Sequence, residues 1–222
     1  MQQRVKAVLD RVHLAALAAG RDPAEIEVIA ASKRQDAAVI QEAADAGIQA
    51  FGENYVSELL SKVDEVANAR WHFIGNLQRN KARRVIPHVQ MLHTLDTARL
   101  ADALQRHLSD GEGPSRRLPV LIQVNIGGEP TKAGLSEREV RDLATHVLTC
   151  CPELNLSGLM TIPPRDDSDR WLGAMAQLRA GLQTELGVAL PCLSMGMSRD
   201  LEAAIRHGAT HVRVGTSIFG GR

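Results

Sequence analysis

Eight short runs of apolar and β-branched residues recur along the chain. Each is followed by a stretch rich in Ala, Leu, Glu and Arg, the pattern of repeated βα units. The runs are Glu27 to Ala31, Ala50 with Phe51, Trp71 to Ile74, Met91 to His93, Val120 to Asn125, Leu156 to Met160, Leu193 to Met195 and His211 to Val214. The stretch VLIQVNI is nearly continuous in large apolar residues, as a parallel strand covered on both faces requires; a half-exposed antiparallel strand would alternate. Helices are expected near 3–19, 36–46, 54–67, 79–85, 97–109, 136–149, 168–186 and 199–207. Asp36, Ser136 and Ser198 stand where N-caps fall, and Gly20, Gly47 and Gly208 where left-handed C-caps fall. Strands and helices in equal number predict a (β/α)8 barrel of the TIM type. Only Gly215 to Arg222 follow the last strand, so the extra N-terminal helix is expected to cover the barrel there. With 222 residues, 44% of them hydrophobic, and no linker or low-complexity tract, residues 1–222 read as one domain.

Charge narrows the partners. Lys+Arg and Asp+Glu each total 26, so neither a nucleic-acid footprint nor an anionic-membrane surface is expected. The densest basic segment, Gln78 to Arg84, reads as a solvated helix face. No apolar stretch approaches the roughly 20 residues of a membrane-spanning helix. The opening MQQRVKAVLDRVHLAALAAGRD is charged and helix-periodic, unlike a secretory leader, and a cytoplasmic protein is expected. Cys150, Cys151 and Cys192 make a poor disulfide framework and no zinc-ligand spacing, so no metal is expected.

Lysine is scarce: five (Lys6, Lys33, Lys62, Lys81 and Lys132) against 21 arginines, 26 in all. Lys6 and Lys62 fall inside helical patterns and are expected at the surface, as is Lys81 in the basic segment. Lys33 comes two residues after the first apolar run, at the carboxyl end of the first strand. In TIM-type barrels that end carries the active site. A lysine directed into a partly desolvated mouth has its ammonium destabilised, which frees the amine to attack an aldehyde. Spacing alone leaves an exposed loop lysine as an equal reading.

Near the C-terminus, Leu193 to Ser198 (LSMGMS) and Val212 to Gly220 (VRVGTSIFG) follow the seventh and eighth strands. Barrels of this class often build a phosphate site there, from the loops and the N-terminus of a short helix. Gly215 lets the backbone come close, and Ser194, Ser198, Thr216 and Ser217 are candidate hydroxyl donors. For any one of these residues an ordinary cap or turn is an equal reading. Arg213, inside a short strand, would be costly to bury unless it faced the mouth or a partner.

Taken together, SKRQ around Lys33, FGENY at 51–55, WHFIGNLQRNK at 71–81, GLMTIP at 158–163, SMGMSRDLEAAI at 194–205 and VRVGTSIFG at 212–220 resemble the pyridoxal phosphate homeostasis protein family, in order and across nearly the whole chain. That family is similar to the barrel domain of alanine racemase, the fold-type III group, without the racemase's β-rich second domain. The resemblance implies pyridoxal 5′-phosphate as cofactor and an internal aldimine on Lys33. It further implies Arg213 facing the pyridine nitrogen, and Ser194, Ser198, Gly215 and Thr216 around the phosphate. Asn54 and His72, from the ends of strands two and three, are weaker candidates for the ring's surroundings.

A lysine imine alone does not make a catalyst, because racemisation needs acid–base groups on both faces of the carbanion. The opposite base of racemases is a tyrosine from the second domain, and this chain's single tyrosine, Tyr55, lies at a helix start in the barrel itself. The expected function is a carrier or buffer of the cofactor, with PLP-dependent apo-enzymes as recipients and a monomer as the default; weak amino-acid racemisation is the alternative. Lys132 follows strand five and so belongs to the same mouth. It is either a second amine for imine exchange or, as the stronger reading, a solvated loop lysine.

Overall fold

The computed structural model describes residues 1–221 apart from 112, 114 and 115, so part of the expected Gly111–Pro114 loop lies outside the described residues. Eight parallel strands close into a barrel in chain order. They are β1 (Glu27–Ala31), β2 (Ala50–Glu53), β3 (Arg70–Phe73), β4 (Met91–Leu95), β5 (Leu118–Val124), β6 (Leu154–Thr161), β7 (Cys192–Ser194) and β8 (His211–Val214). The closing pair runs from Glu27↔His211 to Ala30↔Val214.

The helices are α1 (Gln2–Ala18), α2 (Ala37–Asp45), α3 (Val56–Lys62), α4 (Ala82–Val85), α5 (Ala98–Ser109), α6 (Glu137–Cys150), α7 (Ser168–Leu186), α8 (Leu201–Arg206) and the single turn α9 (Thr216–Phe219). None of the described helices is long and apolar enough to cross a membrane. The segment expected as one helix over 79–85 is instead a 3₁₀ turn, Arg79–Lys81, followed by one α-turn. Ile86 still donates its N–H to the Ala82 carbonyl at 3.1 Å with helical backbone, and the ladder stops there because Pro87 has no N–H for the next carbonyl. Ser198 does not cap α8. Asp200 Oδ1 accepts the Met197 N–H at 2.7 Å and folds 197–200 into a turn, so the helix begins only at Leu201. Ser136 does open α6, with Glu139 reaching back to its N–H at 2.8 Å.

Along each strand alternate residues face the helices or the barrel axis. The helix-facing set joins one large core that includes Val28, Phe51, Trp71, Phe73, Leu92, Ile122, Leu193 and Val212. The axial set differs. Met91, Leu121 and Met160 form a small apolar cluster of their own, and around them stand Glu27, His72, His93, Ser194, His211 and Arg213. α1 buries the stripe Val5, Val8, Val12 and Ala16, spaced at helical intervals. It is pinned along the outside of the barrel by Arg4 Nε to Ile218 O (2.7 Å), by Arg11 to Glu202 and by Arg21 Nη1 to Ala209 O (2.7 Å). The N-terminal helix thus covers the place where a full-length eighth crossover helix would pack.

Candidate functional site

Lys33 sits in the turn that follows β1 at the carboxyl end of the barrel, and its side chain is exposed rather than partly desolvated. What is buried is the apparatus under it. Lys62, expected at the surface, is 5% exposed. Its ammonium donates to Glu53 Oε1 at 2.8 Å, to Glu58 Oε2 at 3.0 Å and to the Ser32 carbonyl at 3.2 Å. Ser32 Oγ donates to Glu53 Oε1 at 2.7 Å, and the Arg34 N–H to Glu58 Oε2 at 2.5 Å. Arg34 is held at φ 60°, a left-handed conformation that costs a side-chain-bearing residue about 1–2 kcal/mol. Both neighbours of Lys33 are therefore clamped by one ion-pair network, and the strained turn stays closed. Burial raises the Glu53 carboxyl, partly offset by the bonds from Lys62 and Ser32.

Arg213 lies in β8 and points along the barrel axis, 5% exposed. Its Nη1 donates to Ser194 Oγ at 2.5 Å and its Nη2 to the Thr161 carbonyl at 2.7 Å, both neutral acceptors. Burial pushes its guanidinium down to about 10. Ser194, expected beside a phosphate, instead spends its hydroxyl inside the barrel between Arg213 and His93, whose Nδ1 is 2.9 Å away. His72 is one residue short of the end of β3 and turns inward, with Nδ1 2.9 Å from His93 Nε2. It stands behind the mouth rather than in it. Asn54 is half-buried just beyond β2. Gly75 makes that position possible: a Cβ there would stand 2.1 Å from the Asn54 carbonyl oxygen.

At the opposite rim the two C-terminal segments meet. Gly196 adopts φ +91°, and a Cβ on it would lie 2.4 Å from that of Ala204 in α8, so only glycine lets the SMGMS loop lie flat on the helix. The Arg213 N–H donates to the Gly196 carbonyl at 2.9 Å, joining that loop to β8. Gly215 opens the turn α9, with Thr216 exposed and Ser198 half-buried. The first N–H groups of such a turn have no partner within it and are available to an anion. Lys132 is tethered, donating to the Pro163 carbonyl at 3.0 Å and paired with Glu129. Away from the mouth, α5, α6 and the residue that ends α6 bring Asp102, His146 and the buried Cys151 together, a grouping that cysteine spacing did not reveal; the Asp102 to His146 bond is 2.7 Å.

The family of the alanine racemase N-terminal domain matches residues 23–222. A pyridoxal phosphate homeostasis protein of Pseudomonas aeruginosa is 44% identical over 99% of this chain and 95% of its own length. The chain belongs to the pyridoxal phosphate homeostasis protein family. Within reach of that family's fold is the structure of PipY of Synechococcus elongatus with PLP bound, 33% identical, with a TM-score of 0.81 over 94% of this chain and 98% of that one. An alanine racemase of Corynebacterium glutamicum shares the barrel at 17% identity, with a TM-score of 0.68 over 96% of this chain and 60% of its own. For a family member the residues that sequence reasoning missed are Glu53, Glu58 and Lys62 beneath the lysine turn, and His93 and Thr161 behind Arg213.

Proposed function

We propose that this protein binds pyridoxal 5′-phosphate as an imine on Lys33 and serves as a carrier or buffer of the cofactor in a cytoplasmic, monomeric form, releasing it to PLP-dependent apo-enzymes. The observation that carries the reading is the juxtaposition at one barrel end of a clamped lysine turn, a buried arginine and a one-turn helix after β8. The donor set fits the cofactor. Pyridoxal phosphate supplies an aldehyde that condenses with an amine, a ring nitrogen and a dianionic phosphate. Lys33 offers the amine. Arg213, whose bonded partners in the barrel are neutral, offers a cation toward the ring, and the amides and hydroxyls at Ser198, Gly215 and Thr216 offer donors to the phosphate. Asn54, just beyond β2, would border the ring.

The carrier reading draws support from the relatives matched nearly end to end, which bear the homeostasis name, and from the absence of a second tyrosine in the sequence. Tyr55, at the start of α3, is exposed. Weak racemisation remains the second reading because the barrel is shared with alanine racemases. The decisive experiment is the visible spectrum after addition of pyridoxal phosphate, run beside Lys33→Ala. An imine band in the first and none in the second is expected; no band in either would refute the cofactor assignment. Exchange of an amino acid's α-hydrogen on the loaded protein would overturn the carrier reading in favour of the enzyme.

A further inference from the structure

TIM-type barrels fill their axis with layers of branched apolar side chains, whereas here a file of polar groups runs the length of it. Arg213 Nη1 meets Ser194 Oγ at 2.5 Å, Ser194 Oγ lies 2.9 Å from His93 Nδ1, and His93 Nε2 lies 2.9 Å from His72 Nδ1. His72 Nε2 is then 3.5 Å from Glu27 Oε2, at the amino end of β1. Glu27 borders an open cavity of about 540 Å³ on the face opposite Lys33. Its other oxygen is 2.7 Å from Arg70 Nη2, and His211 Nε2 approaches Oε2 at 3.4 Å.

Donor and acceptor capacity sets the direction of this file. A guanidinium only donates, so Ser194 Oγ accepts from Arg213 and its single hydrogen passes to His93 Nδ1. Burial, then the neighbouring charges and rings, lower His72 to about 3 and His93 well below its ordinary value, so near neutral pH each ring carries one N–H. His93 then holds its hydrogen on Nε2 and gives it to His72 Nδ1, and His72 holds its own on Nε2, facing Glu27. Glu27 is paired with the Arg70 guanidinium at 2.7 Å, and a carboxylate so paired only accepts, although burial raises its carboxyl. Both ends demand the same direction. The reverse arrangement would strand the Ser194 hydrogen and turn a ring lone pair toward a carboxylate, each a buried mismatch.

We propose that Glu27 is a remote positioning residue for the cofactor end of the barrel: through His72, His93 and Ser194 it fixes the orientation in which Arg213 is held, from the opposite mouth. The role assigned to Arg213 rests on the cofactor reading above; the direction of the chain does not. The test begins with cofactor-free protein carrying labelled histidine nitrogens. Long-range proton–nitrogen spectra near neutral pH should show His72 and His93 neutral and protonated on Nε2. A proton on Nδ1 of His93, or an imidazolium at either ring, overturns the proposal. Glu27→Leu removes the acceptor and Glu27→Gln keeps an acceptor oxygen; Glu27→Ala is the second variant should the leucine not fold.

In cofactor-free protein Glu27→Leu should mix the His72 tautomers and move the Arg213 guanidinium nitrogen resonances, while Glu27→Gln leaves both in place. In loaded protein the leucine variant should retain pyridoxal phosphate about tenfold less tightly and the glutamine variant within about twofold of wild type, because leucine offers the His72 N–H no acceptor at all. Leu and Gln variants that behave alike refute the role of Glu27. Expected tautomers and Arg213 shifts in a protein that takes up no pyridoxal phosphate would sink the functional reading and leave the chain standing. A normal imine band with the wrong tautomers would do the reverse.

Discussion

Lys62→Met removes an ammonium from the network under Lys33 while keeping most of the side-chain volume, which makes its consequences calculable. Breaking a buried ion pair by deleting one partner costs about 3–5 kcal/mol, because the surviving charge is left buried. Glu53 is fully buried and its Oε2 already has no hydrogen-bond partner among the described residues. Ser32 Oγ would still donate to Oε1, so the lower end applies, about 3 kcal/mol. The loss should depend on pH. Burial already raises the Glu53 carboxyl above 4.5, and removing Lys62 deletes two of the influences that hold it down. The folded variant then binds a proton more readily than the unfolded chain, so its stability rises as pH falls. The deficit should shrink between about pH 8 and about pH 5.

Urea unfolding followed by circular dichroism at those two values measures it. Lys62→Met combined with Glu53→Gln should recover most of the loss, since no buried charge remains unpaired. Imine formation on Lys33 should also slow in the single variant, because the Ser32 carbonyl and Glu58 both lose a bond. A deficit under about 1 kcal/mol at about pH 8, or one indifferent to pH, would refute the clamp as described, since only exposed pairs are worth so little.

Other positions give sharper yes-or-no outcomes. Gly196→Ala should cost at least about 2 kcal/mol, combining left-handed strain with a Cβ set 2.4 Å from that of Ala204, whereas Gly181→Ala, in the middle of α7 with nothing near its Cβ position, should stabilise by about 0.5–1 kcal/mol; thermal midpoints of the two decide whether the glycines are read correctly. Thr216→Val should weaken retention of pyridoxal phosphate while leaving that of unphosphorylated pyridoxal unchanged, and equal losses for both would remove Thr216 from the phosphate corner. His72 and His93 are held neutral, with folded values depressed below 6.5, so their contribution to stability is present above that value and lost as pH falls below it. Two such rings give a slope of up to about 2.7 kcal/mol per pH unit, and stability unchanged from about pH 7 to about pH 5 would show that the rings are not buried as neutral groups.

The sequence was most legible where one local signal decides the structure. α7 and the strands β1 and β8 fall on their expected bounds, and Gly20, Gly47 and Gly208 take positive φ as their placement after helices requires. Lys33 could be singled out because a strand end is a local matter. Lys62 could not be read correctly in the same way: a lysine in a helical pattern belongs at the surface unless something across space claims it. That something is Glu53, nine residues earlier, at a helix-facing position of β2. A signal did exist, because a glutamate at a position covered by a helix demands a cation, and α3 begins three residues later.

The axial chain was hidden for a related reason. His72, His93 and His211 each stand in a strand at the parity that points inward, which the alternation rule exposes one strand at a time. Their assembly depends on the closure of β8 onto β1, which places His211 opposite Glu27. Only that long-range pairing turns three separate histidines into one buried cluster. It also moves Ser194 from a phosphate donor, as its loop suggested, to the link between Arg213 and His93. A barrel that spends its axial layers on polar side chains gives up apolar packing there. The offset comes from the large core between strands and helices, so the polar axis can be retained for what it does at the mouth.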